Sequence, residues 1–177
     1  MTLASKPDAL LTSARWLINL IVVLVGVVFL GLIGAAIALP LFEVRVLALI
    51  AEHGGKQAGS EAIVAIEILF VVFIAMLALA FRWLRQLRRI IDSVGHGDPF
   101  APENADRLAR MGWLTVAIEC LSIPGGIVAG YLAHIFRRAE LDVGLSLGGV
   151  LMALVLFILA RVFREGAAMR DELEGTV

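Results

Sequence analysis

Cysteine is almost missing from this chain of 177 residues: Cys120 stands alone. An intrachain disulfide is therefore excluded, and with no basic neighbour to lower its pKa the thiol is not an activated nucleophile. Histidine is scarce as well. His53, His96 and His134 are scattered, with no pair one helical turn apart, so neither a metal site nor a bis-histidine haem site finds its ligands. No Ser-His-Asp set, no His-Glu-x-x-His and no acidic metal cluster is written into the sequence. Charge too is sparse: 18% of residues are charged and 60% hydrophobic, against about a quarter and about half in a soluble domain. The net charge of -1 gives no reason to expect direct nucleic-acid binding. These absences argue against an enzyme and imply no catalytic residue, metal or cofactor.

What the sequence has in quantity is apolar length, with a mean hydropathy of +0.95. A bilayer core of about 30 Å needs about 20 apolar residues in a helix, and four stretches qualify: about 16–39, 62–81, 113–133 and 144–163. The first is far longer than the ~7–15 apolar residues of a signal-peptide core, so it reads as a retained anchor. The fold expected is an all-α integral membrane protein with four transmembrane helices in one bundle, a single domain over 1–177 in contact with the lipid bilayer. Leu41 to Ala51 is semi-apolar and is expected either to lie along the interface or to extend the first helix.

Orientation follows from the basic residues of the short loops. With the N-terminus inside, the inner segments hold Lys6, Arg15, Arg82, Arg85, Arg88, Arg89, Arg107, Arg110, Arg161, Arg164 and Arg170, while the outer loops hold only Arg45, Lys56, Arg137 and Arg138. Both termini and the central loop are thus expected in the cytoplasm. Trp16, Trp83 and Trp113 all fall at predicted inner ends, where amphipathic rings prefer to sit.

Between the second and third spans lies "GHGDPFAPENADRLARMG" (95–112). Upstream of it, Leu84, Leu87, Ile90, Ile91 and Val94 keep helical spacing between arginines, so the second helix should continue about three turns beyond the membrane. Gly95 is expected to close it in a left-handed conformation. Asp98 and Pro99 make the turn, Pro102 and Glu103 suit the first turn of the next helix, and Phe100 is expected to plug into neighbouring helices. A cytoplasmic hairpin over about 82–112 results. The tail from Arg164 to Val177 should lie near it, its acids Glu165, Asp171, Glu172 and Glu174 facing six hairpin arginines.

The Gly-Asp-Pro-Phe run with Asn104 shortly after resembles the signature of the DUF2975 family of small bacterial membrane proteins, as does the ending "VFREGAAMRDELEGTV". The resemblance covers roughly 80–177 and implies four hydrophobic segments, with the signature between the second and third. It implies no activity. It also implies genomic company with small helix-turn-helix regulators, and hence a membrane protein that binds such a regulator, with Asp98, Pro99, Phe100 and Asn104 as the turn or partner-binding residues.

Polar groups at membrane depth need partners. Glu67 and Glu119 lie too far apart along the membrane normal to form a carboxylate pair. Asn19, Glu119 and Arg161 are expected to cluster at similar depth, and Glu67 to meet Tyr131 or His134. Pro124-Gly125-Gly126 should kink the third span, while Gly126 with Gly130, and Gly144 with Gly148, form small-xxx-small pairs for close helix approach. The first functional reading is a non-enzymatic membrane regulator or receptor. A second is a proton-coupled transporter using Glu67, which predicts homo-oligomers, and a third is a structural subunit of a larger membrane complex.

Overall fold

The computed structural model describes residues 9–52, 59–95, 98–135 and 146–174. They form α1 (Ala9–Leu41), α2 (Glu43–Glu52), α3 (Ser60–Gly95), α4 (Pro102–Ile135) and α5 (Leu147–Glu174), and no strand occurs among the described residues. Four of these, α1, α3, α4 and α5, are long and apolar enough to cross a membrane. In none is more than 22% of the most apolar window buried within the protein. Leu20, Val23 and Val27 on α1 and Leu151, Leu154 and Ile158 on α5 all face outward. Only a hydrocarbon solvent makes that surface stable, and only helices satisfy their own backbone there. The chain is an all-α, multi-pass membrane protein.

Pro40 lacks the amide that would continue α1, and the helix ends one residue later. Phe42 still donates to Ala38 O at 3.1 Å, and its own carbonyl accepts from Arg45 and Val46 at 3.0 and 2.9 Å. The stretch after Leu41 is therefore a separate helix, α2, restarted after a one-residue turn. At about 1.5 Å per residue, the 36 residues of α3 outrun any bilayer core, as the arginine-studded continuation of the second span requires. Gly95 does not end α3 in the way expected. It is the last helical residue and has no positive φ, and a methyl there would run into the Arg15 guanidinium.

By its contacts the chain forms two compact units. The first takes in residues up to Leu24, Ala80–Val116 and the chain from Leu147 on. Its core is Leu108, Met111, Leu156 and Ala160, with Trp83, Leu87, Ile90 and Phe163 packed around them. Gly112 lets the Phe157 ring lie directly on α4: a Cβ there would stand 2.8 Å from the ring. Trp113 meets the same ring edge-on at a centroid distance of 5.4 Å. The second unit comprises Val25–Leu79 and Ala117–Ser146, and its core is small: Ala62, Ala65 and Leu132, flanked by Ile66, Leu69 and Val128. The close approach here is at Gly125, 3.0 Å from Val72 Cγ1 as a Cβ would measure it, and not at Gly130, which faces open space. Helix α4 continues through Pro124, and Gly144 lies outside the described residues.

The register of α5 on α4 brings the tail against the hairpin turn. Flush spans at 113–133 and 144–163 would set Phe163 beside Trp113. Instead Phe157 lies beside Trp113 and Phe163 packs on Phe100, each with ring centroids 5.4 Å apart, so α5 lies displaced along α4 toward the turn by about 9 Å, a little under two turns of helix.

Candidate functional site

The turn between α3 and α4 is organised by one side chain. Asn104 is completely buried, the sole buried polar residue among those described, and every one of its polar atoms is engaged. Its Nδ2 donates to Ser93 Oγ at 2.6 Å and to Pro99 O at 3.0 Å, while Oδ1 accepts from Arg107 Nη1 at 2.7 Å. Its backbone amide reaches Ala101 O at 2.8 Å, the first bond of α4. Ser93 donates its hydroxyl to Ile90 O at 2.8 Å, and its carbonyl accepts from the Asp98 amide at 3.2 Å. One asparagine thus ties the last turn of α3, the turn residues and the first turn of α4 together. An apolar side chain could supply neither the two donors nor the acceptor.

Around this hub the tail of the same chain closes in. Arg170 donates to Asp98 Oδ1 at 2.7 Å, and Arg164 to Asp106 Oδ1 at 3.3 Å. Phe100 packs between them: its Cδ1 would stand 2.9 Å from a Cβ at Gly166, so only a glycine admits the ring there. The docking of hairpin and tail expected from the sequence is present with its charges reversed. Hairpin acids hold tail arginines, whereas tail acids were expected on hairpin arginines. Of those tail acids, Glu165 pairs within its own helix, accepting from Arg161 Nε at 3.0 Å. On the other side Arg15 of α1 meets Asp92 of α3 at 3.1 Å.

Asp98, Pro99, Phe100 and Asn104 therefore all fix the turn. Phe100 keeps one face outward at 42% exposure, so it serves as a wedge and as a surface group. Sequence reasoning missed Ser93 and Gly166. A serine on the polar face of an amphipathic helix and a glycine in a charged tail carry no signal until their partners are known.

The intramembrane polar residues are arranged differently from the expectation. Glu119 accepts from the Ser146 amide at 3.0 Å, immediately before α5 begins. Its carboxylate thus satisfies a helix-start amide that has no partner within the helix, and its charge suits that end of the dipole. Arg161 turns to Glu165, and Asn19 is exposed. These settings replace the expected cluster of Asn19, Glu119 and Arg161. Tyr131, expected on Glu67, donates instead to Glu61 at 3.3 Å, while Glu67 is half-buried.

Against known proteins, a family model described as "Protein of unknown function (DUF2975)" matches residues 45–177. The match begins well before the two motifs that carry the sequence resemblance and takes in the whole hairpin and tail. No curated protein matches the chain, and no solved structure does.

Proposed function

The chain belongs to the DUF2975 family, and from that premise we propose that it is a non-enzymatic protein of a bacterial inner membrane, with both termini in the cytoplasm, that holds a small helix-turn-helix regulator at the membrane surface. The observation that carries this reading is the preformed knot of hairpin and tail around Asn104. A binding partner meets an ordered surface there, so association does not pay for ordering the hairpin first. Two apolar groups remain outward on the knot, Phe100 at 42% and Met169 at 61% exposure. The non-enzymatic part rests on the same residues. The Ser93 hydroxyl is held by Asn104 and Ile90, and Cys120 has no basic neighbour in the sequence.

Asp98 and Phe100 hold the fold of the knot, so changing them would confuse lost folding with lost binding. Met169 makes the cleaner test. The full chain in lipid nanodiscs is expected to retain a purified helix-turn-helix regulator taken from an adjacent gene, and Met169→Asp to release it at unchanged thermal stability. Failure of the unaltered chain to retain such a regulator overturns the reading.

One observation favours proton-coupled transport as a second reading. Glu67 is half-buried, no ion pair engages it among the described residues, and the Tyr131 hydroxyl donates to Glu61 instead. Glu67→Gln should then abolish proton flux in proteoliposomes, and a chain that passes no protons before the substitution removes this reading.

A further inference from the structure

We propose that the groove between α3 and α4 binds the headgroup of an anionic phospholipid. Arg82, Arg85, Gln86 and Arg89 form one stripe of α3, at helical spacing, and Arg110, Trp113 and Leu114 form the facing stripe of α4. Together they line an open cavity of about 470 Å³. Four guanidinium groups converge on it, and none is engaged by an ion pair among the described residues. The nearby acids are already committed. Asp92 faces Arg15 and Arg88, and Asp106 holds Arg164. Four like charges gathered with no ion-pair partner among the described residues repel one another until an anion joins them. The planar fork of arginine matches the oxygens of a phosphate in paired hydrogen bonds.

The apolar side of the groove selects the source of that phosphate. Trp113 is 67% exposed, and one edge of its ring rests on Phe157. A large exposed indole beside arginines belongs at the boundary between headgroups and hydrocarbon, and Leu114 continues the wall on the apolar side. A soluble phosphate would use the arginines and leave the ring in water, whereas a phospholipid uses both. Basic pockets between membrane helices recognise anionic headgroups through this combination. Only the assignment of the groove to the inner leaflet rests on the orientation proposed above; the binding does not.

The test uses the full chain in phosphatidylcholine nanodiscs, with Trp16→Phe and Trp83→Phe leaving Trp113 as the one tryptophan. Brominated-acyl phosphatidylglycerol or brominated-acyl phosphatidylcholine is added at equal mole fraction, and quenching of Trp113 is read. The anionic lipid is expected to quench more strongly, through its enrichment at the groove. Each arginine at an anionic surface contributes roughly a fivefold factor, so Arg85→Gln with Arg89→Gln should lower that enrichment by roughly tenfold or more. Arg85→Lys with Arg89→Lys, which keeps the charge and loses the paired hydrogen bonds, should keep only part of it, and Arg45→Gln, on α2, should leave it unchanged. If the double glutamine variant aggregates, the two single variants carry the same comparison. Equal quenching by both lipids overturns the proposal, as does a preference that survives loss of the arginines. Displacement of the lipid by millimolar inorganic phosphate also overturns it, because the ligand is then a soluble anion. Loss of the lipid preference with regulator retention intact would separate the fate of this proposal from that of the regulator reading.

Discussion

Asn104 is the residue on which the hairpin most depends, because its removal takes a partner from three half-buried groups at once. Asn104→Ala deprives Pro99 O of its donor, Arg107 of its carboxamide acceptor and Ser93 Oγ of the bond it accepts, although Ser93 still donates to Ile90 O and Arg107 to Arg89 O. Each unsatisfied buried group costs about 1–3 kcal/mol, and part of that returns when water enters the vacated space. We expect a loss of about 2–4 kcal/mol on that basis, read from the unfolding midpoint in a graded SDS titration of the detergent-solubilised chain. A loss under about 1 kcal/mol would mean that the asparagine bonds are replaceable and the hub is not the organiser. The Asp98–Arg170 pair behaves differently. Its side chains are about half exposed, at 47% and 50%, so water and salt screen it. A double-mutant cycle with Asp98→Asn and Arg170→Gln should give a coupling of only about 0.2–1 kcal/mol, falling further at high salt. The pair therefore sets how the tail lies, and the Asn104 hub carries the stability of the turn.

At the scale of the element, two glycines decide where α5 can sit on its neighbours. A methyl at Gly112 would stand 2.8 Å from the Phe157 ring, and one at Gly166 would stand 2.9 Å from Phe100. Two effects oppose each other in Gly→Ala at these sites. Helix propensity favours alanine by about 1 kcal/mol, and overpacking against an aromatic ring costs about 1–3 kcal/mol. Overpacking should win at Gly112, where the ring is also in contact with Trp113. Gly112→Ala is thus expected to destabilise, with Phe157→Leu restoring part of the loss. Gly26→Ala on α1, where nothing lies within 4 Å, should be neutral or better in the same SDS titration. A Gly112→Ala variant as stable as the unaltered chain would show that the rings slide freely. The elements themselves were largely legible in the sequence, since long apolar runs and Pro102 announce where helices lie, whereas the break after Pro40 was left open between an extended first helix and an interfacial stretch. Their partners were not. Apolar periodicity marks a face of a helix without saying which ring fills which gap. Thus Gly126 and Gly130 drew attention, while the close contact fell at Gly125. Tyr131 had two carboxylates one to two turns apart within reach along α3, and composition could not tell Glu61 from Glu67. The reversal of the hairpin–tail charges has the same origin, because both segments carry both signs.

For the whole molecule the point at issue is alignment: four apolar stretches of similar length would also allow a flush bundle. The displaced register of α5 answers otherwise, and the reason is local. In lipid there is no hydrophobic gain from pairing one apolar helix with another, so packing and polar contacts choose the register. Here they act in concert: the Glu119 carboxylate caps the start of α5 at Ser146, Phe157 fits Gly112, and the Asp106–Arg164 and Asp98–Arg170 pairs hold the far end. A flush arrangement would forfeit all of these and leave the Glu119 charge at membrane depth without its amide. Disulfide trapping separates the two registers, because a disulfide forms only when the Cα atoms approach within about 7 Å. In a Cys120→Ser background, Phe100→Cys with Gly166→Cys should oxidise, since a Cβ at 166 already stands 3.8 Å from Phe100 Cγ, the atom next to its Cβ. Trp113→Cys with Phe163→Cys should not, because the Trp113 ring faces Phe157 and the Phe163 ring faces Phe100. Phe157 and Phe163 lie about 9 Å apart along α5, beyond what a disulfide spans. Efficient bonding of the 113–163 pair in native membranes, with none at 100–166, would restore the flush bundle and free the tail from the hairpin. The Asn104 knot would then stand without its tail contacts, and Phe100 would be bare on the surface.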